Sequence, residues 1–122
     1  MNQLSRIEAE VTFLLASEDG REEPPRNLSG GGYRPHLVVG DPNQRRAVTV
    51  AGVCQETYLG VAFLAGPEKV EAGKSFSAEL ALIFYPHPAY DSLAPGATFT
   101  IREGAQVVGY GHVRRVIAGG PA

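Results

Sequence analysis

The chain holds one cysteine, one methionine and no tryptophan, no long apolar run and no surplus of basic charge. A single thiol, Cys54, excludes an intramolecular disulfide. Its neighbours Gly52 and Val53 are small and apolar, the setting of a buried cysteine rather than of a nucleophile, which needs a base beside it. No segment approaches the roughly 20 apolar residues that a membrane helix needs. The first residues, Met1 to Arg6, are polar and carry no apolar core of a secretory leader. A cytoplasmic protein that does not enter the membrane is therefore expected. The formal net charge of −2 is a poor start for autonomous binding to nucleic acid, which relies on cations to displace counterions from phosphates. No apolar stripe of helical period exceeds two turns, and there is neither an internal repeat nor a heptad pattern.

Turn residues and short alternating runs are present instead. Fifteen glycines and nine prolines suit many turns between short strands. At 122 residues the chain has the size of one domain and buries a real core without covalent staples. Ile7, Ala9, Val11 and Phe13 alternate with Glu8, Glu10 and Thr12, a strand with one face toward a core. A polar stretch rich in Glu, Pro and Gly follows from about residue 18 to 32. It has nothing from which to build a core and is expected to be an exposed, flexible loop. Arg34-Pro35 enforces an extended entry into the strand His36 to Val39. Gly40-Asp41-Pro42-Asn43 marks a turn, Ala47 to Val50 and Tyr58 to Leu64 are β-prone, and a long strand is expected over Ser75 to Tyr85. The pattern Phe99-Thr100-Ile101-Arg102-Glu103-Gly104-Ala105-Gln106-Val107-Val108-Gly109 alternates up to a turn and again beyond it, which is a β-hairpin. Residues 118–122 are expected to form a frayed tail. Short strands separated by turn clusters argue for an all-β barrel or sandwich.

Residues with chemical potential are scattered. Gly73-Lys74-Ser75 is not a phosphate-binding loop: Glu68 stands where the motif requires glycine, and a strand follows where a helix is needed. His36, His87 and His112 have no companions at metal-ligand spacing. His87 with Asp91 and Ser92 supplies ingredients of a hydrolase, but turn formation after Pro88 explains the same residues. Gly109 and Gly111 leave one strand face bare, for packing within a barrel or for close approach of another strand or a ligand. Neither a cofactor nor a metal is expected.

Taken in order, several motifs resemble the C-terminal (third) domain of elongation factor Tu. Ile7-Glu8-Ala9-Glu10-Val11 looks like its first strand. Gly32-Tyr33-Arg34-Pro35 matches its Gly-Tyr-Arg-Pro motif in full. Ala72-Gly73-Lys74 stands where its Pro-Gly-Asp turn lies. Phe99 to Ala105 is similar to its Phe-Ala-Ile-Arg-Glu-Gly-Gly hairpin, and Val108-Gly109-Tyr110-Gly111-His112-Val113 to its last strand. The similarity runs from about residue 7 to 117. It implies a closed, six-stranded antiparallel Greek-key barrel, here standing alone without a GTPase domain. In that family the domain docks to protein partners and helps to hold the T-arm of aminoacyl-tRNA. The implied binding residues are Arg34, His36, Arg102, Glu103 and Gly104, with His36 at a position that is typically Gln. The family's Thr-Thr-Asp-Val-Thr segment is replaced by residues 40–46, and its Lys before a proline has no counterpart between Phe84 and Pro88. These departures bear on tRNA binding more than on the fold.

The expected function is thus a non-catalytic, translation-related binding module with a protein partner. RNA binding along the Arg-Glu-Gly edge is the alternative, and a small hydrolase using His87 and Asp91 a third reading. The hairpin turn is expected to be exposed, so that Arg102→Ala would leave folding intact.

Overall fold

A computed structural model of the protein describes residues 5–117. Among the described residues there are eight strands: β1 (Arg6–Phe13), β2 (His36–Val39), β3 (Thr49–Val50), β4 (Val53–Cys54), β5 (Leu59–Ala65), β6 (Phe76–Leu82), β7 (Thr98–Glu103) and β8 (Gln106–Ile117). Six of them close into an antiparallel barrel in the order β1-β6-β5-β2-β7-β8, with β8 pairing back onto β1. The remaining two, β3 and β4, form a separate two-stranded ribbon. Helical structure among the described residues is limited to two short 3-10 turns, Ala16–Glu18 and Pro88–Ser92, and no helix is long and apolar enough to cross a membrane. Residues 118–122 and the Cys54 side chain, for which the sequence suggests a frayed tail and a buried thiol, lie outside what the structure describes.

Strand alternation decides which residues fill the barrel. Ile7, Ala9, Val11 and Phe13 of β1 point inward and meet Leu37, Leu59, Val61, Phe63, Leu80, Phe99 and Ile101 in one core. Three of the four outward residues of β1, Arg6, Glu8 and Glu10, carry charge instead. Glu8 pairs with Arg115 at 3.1 Å, Glu10 faces Arg114 at 3.8 Å, and Arg6 pairs with Glu79. Gly109 and Gly111 face inward, and their missing side chains are the room that Ile101 and Phe99 occupy. A Cβ on Gly109 would stand 2.7 Å from the Thr12 carbonyl oxygen, and one on Gly111 would collide with the Glu10 carbonyl. Packing within the barrel therefore accounts for the bare face.

Two expectations need correction. The polar stretch after β1 does contribute to the core: Leu28 is fully buried in it. The stretch is pinned to β5 by hydrogen bonds from the Gly30 and Gly31 amides to the Leu64 and Phe63 carbonyls, at 3.2 and 2.9 Å. One leucine among many polar residues suffices as an anchor when the backbone supplies the rest. The long strand also stops at Leu82 rather than Tyr85. There the chain turns, with the Tyr85 amide donating to the Leu82 carbonyl and the His87 amide to the Phe84 carbonyl.

Candidate functional site

The β7–β8 hairpin has the form its sequence predicts. Glu103 pairs with Gln106 across the two turn residues Gly104 and Ala105, and Gly104 has φ of 60°, a left-handed conformation that glycine adopts without steric cost. Along β7, Phe99, Ile101 and Glu103 face the barrel interior or its mouth, while Thr100 and Arg102 face outward. Both outward residues are nevertheless buried: Arg102 is 0% exposed and Thr100 1%. The expectation of an exposed hairpin arginine is thereby corrected.

The cover is the excursion between β2 and β5, residues 40–58, which carries the β3–β4 ribbon. Glu56 reaches from it to Arg102 in a two-pronged ion pair, Nη1 to Oε1 at 2.8 Å and Nη2 to Oε2 at 2.9 Å. The Arg102 Nε donates to Thr100 Oγ1 at 2.9 Å, and Nη1 also donates to the Tyr58 hydroxyl at 3.2 Å. Glu56 accepts two further bonds, from the Val48 amide and from the Gln44 side-chain amide, at 2.9 and 2.7 Å. Hydrogen bonds from Arg102 hold the Glu56 carboxyl well below its ordinary value, at about 2, against the upward push of burial; Val48 and Gln44 assist. A buried guanidinium is costly unless its donors are matched, and the flat fork of arginine fits a carboxylate better than any other cation. Nearby, Arg45 lies over the Tyr110 ring, 5.3 Å from its centroid, while donating to the Pro42 carbonyl. The excursion is therefore fastened to the barrel wall at two points.

At the mouth of the barrel the two motifs of the sequence meet. The Tyr33 hydroxyl donates to Glu103 Oε2 at 2.6 Å, and Arg21 Nε contacts the same oxygen at 3.1 Å. The Tyr33 ring packs against Phe13 and Phe63, with centroids 6.0 and 5.4 Å away. Burial, reinforced by the Glu103 hydrogen bond, pushes the Tyr33 phenol far upward, so it stays a donor.

The structure thus brings some candidate residues together and separates others. His36 is the register partner of Arg102, and its ring lies 5.6 Å from that of Tyr58. Glu103 and Gly104 occupy the hairpin tip, whereas Arg34 turns away to donate to the Gly31 carbonyl at 2.9 Å. Arg34, Arg45, Arg102 and Arg114 are each committed to a different partner. His87 Nδ1 accepts the Ala89 amide at 3.1 Å, an internal bond of the Pro88–Ser92 turn, and no bond links it to Asp91 among the described residues.

One feature escaped the sequence reading. Residues 47–55 contain no charged side chain, and the ribbon they form shows Val48, Val50 and Val53 to solvent at 50%, 61% and 61% exposure. Its signal was Ala51-Gly52 between β-branched residues, a two-residue hairpin turn. Both turn residues have positive φ, 51° and 80°. The partner of Arg102 lies on this same excursion, 46 residues before it in the chain, and no local pattern announces such a pair. No protein-family model matches the chain.

Proposed function

We propose that the protein is a non-catalytic β-barrel binding module that docks to a protein partner through the β3–β4 ribbon. The carrying observation is the trio Val48, Val50 and Val53, solvent-facing on an uncharged ribbon. Such residues add little to folding while exposed, and apolar side chains gathered on a solvent-facing element mark interaction surfaces. The Glu56–Arg102 clasp and the Arg45–Tyr110 contact fix the base of the excursion, which lowers the ordering cost that a partner has to overcome. The resemblance to the C-terminal domain of elongation factor Tu supports a Greek-key type of barrel and a translation-related setting. In the barrel order, the first strand lies beside β6 while β2, β5 and β6 follow one another, which agrees with that reading.

RNA binding along the Arg-Glu-Gly edge finds less support, because the guanidinium it would use is already bound by Glu56. The two readings separate in one experiment. Tagged protein and a Val50→Lys, Val53→Lys double variant are used to capture partners from lysate at low and moderate salt, and candidates are rebound in purified form. A protein that resists salt, binds the purified wild type directly and is lost with the double variant supports docking. Transfer RNA retained equally by both forms and released as salt rises would replace docking with the RNA reading.

A further inference from the structure

The end of the barrel away from Tyr33 and Glu103 holds a cavity of about 310 Å³ between Ser5, the end of β6, the Pro88–Ser92 turn and the end of β8. Its walls include Leu82, Leu93 and Val116 and the side chains of Tyr85 and Tyr90. Asp91 is the sole charged residue among the described residues of the lining. It is exposed and forms no ion pair or hydrogen bond through its carboxylate among the described residues. The Tyr90 hydroxyl is spent inside the fold, donating to the Gly60 carbonyl at 2.6 Å and accepting the Phe84 amide at 3.1 Å. Tyr90 is therefore a fixed wall. Tyr85 and Val116 are 46% and 45% exposed at the opening, large apolar surfaces that the barrel itself does not cover.

We propose that this cavity binds an alkylammonium group. Its apolar stem would lie against Leu82, Leu93 and Val116, and its cation would meet the Asp91 carboxylate and the face of Tyr85. The physical grounds are charge and shape. A carboxylate without a partner attracts a cation, and aromatic faces add to that attraction because their quadrupole is negative there. Apolar walls select a cation that carries hydrocarbon over a hydrated metal ion. An anion meets only repulsion. Two sources share this chemistry: a free alkylamine, and the lysine side chain of another protein. The inference concerns the barrel end and does not depend on docking through the ribbon.

The test is an amide-resolved NMR titration of the full chain with n-butylammonium, with n-butanol as the neutral counterpart of similar shape. Saturable shifts at Tyr85, at Tyr90 to Leu93 and at Val116 are expected, with n-butanol weaker by about tenfold. Asp91→Asn is expected to weaken n-butylammonium to a similar degree while leaving the rest of the spectrum in place, since Asp91 is exposed. A lysine-containing peptide and its Nε-acetylated form supply the second arm. Tighter binding of the unmodified peptide than of n-butylammonium assigns the site to a protein side chain, and the reverse order assigns it to a free amine. The proposal is overturned by the absence of saturable shifts at the cavity with either cation, and equally by shifts that n-butanol reproduces and Asp91→Asn leaves intact.

Discussion

Two hairpins of this chain, β7–β8 and β3–β4, treat polarity in opposite ways. At the β7–β8 hairpin, whose tip reads Arg-Glu-Gly, the arginine is fully buried and the glutamate is held by a tyrosine and a second arginine. At the β3–β4 ribbon, whose strands and turn read Thr-Val-Ala-Gly-Val-Cys, both valines face solvent. The excursion that carries the exposed valines is the one that buries the arginine, through Glu56. The lesson is that the environment of a hairpin is set by what folds over it. A charged tip becomes interior where a carboxylate arrives to match it, and an apolar tip stays outside where nothing does.

The contrast breaks most decisively at Glu56. Glu56→Ala leaves the Arg102 charge buried and unmatched, and the expected loss is about 3–5 kcal/mol in urea unfolding. Replacing both partners by apolar residues, Glu56→Leu with Arg102→Met, is expected to recover most of that loss, because neither buried charge then remains. A single-variant loss below about 1 kcal/mol, the range of exposed pairs, would mean that the clasp is open in solution. Arg102→Ala, for which the sequence predicts intact folding, belongs with Glu56→Ala on the structural evidence.

Acid supplies the next largest effect. The Glu56 carboxyl sits at about 2 in the folded protein against an ordinary 4.5. Its ionised form is thus favoured by folding, and the associated stability is present above pH 4.5. It is lost as the pH falls from there toward 2. Unfolding free energies measured across this interval should slope downward in the wild type and lie nearly flat for this contribution in Glu56→Gln. An equal slope in both would assign the acid sensitivity to other carboxylates.

Two smaller changes sharpen the ribbon side. Ala51 holds a left-handed φ of 51°, which costs an L-residue with a Cβ about 1–2 kcal/mol and asparagine less. Ala51→Asn should raise stability by about 0.5–1 kcal/mol, read as a higher urea midpoint at unchanged slope. Val53→Ser should change stability by less than about 0.5 kcal/mol, as expected for a side chain that is 61% exposed. A larger loss at Val53 would show that the ribbon packs on the barrel in solution.

The barrel was legible where local pattern dictates it. Alternation over residues 7–13 and 99–109 located β1 and the β7–β8 hairpin, and Gly104 stood at the turn that needs it. The end of β6 was less legible, because the alternation of Phe76 to Phe84 continues past the point at which the backbone turns away from its neighbours. Leu28 was hidden by its polar surroundings, since one anchor has no periodicity. The candidate site was the least legible. The resemblance singled out Arg102 as a binding residue on an exposed edge, but its burial depends on Glu56, which no spacing rule connects to it. Tyr33 and Glu103 are likewise joined only by closure of the barrel.

Closure also has a consequence in time. β1 lies between β6 and β8, so the strand formed by residues 6–13 waits for residues 106–117 before its second edge is satisfied. Pairing across so much intervening chain has a high entropic threshold and belongs to the slow class of all-β folding. During synthesis, β1 would leave the ribosome long before β8 does, with one row of amides and carbonyls open to any passing strand. The outward Glu8 and Glu10 then serve the nascent chain before they serve the native one, because charge along an open edge discourages association with the wrong neighbour.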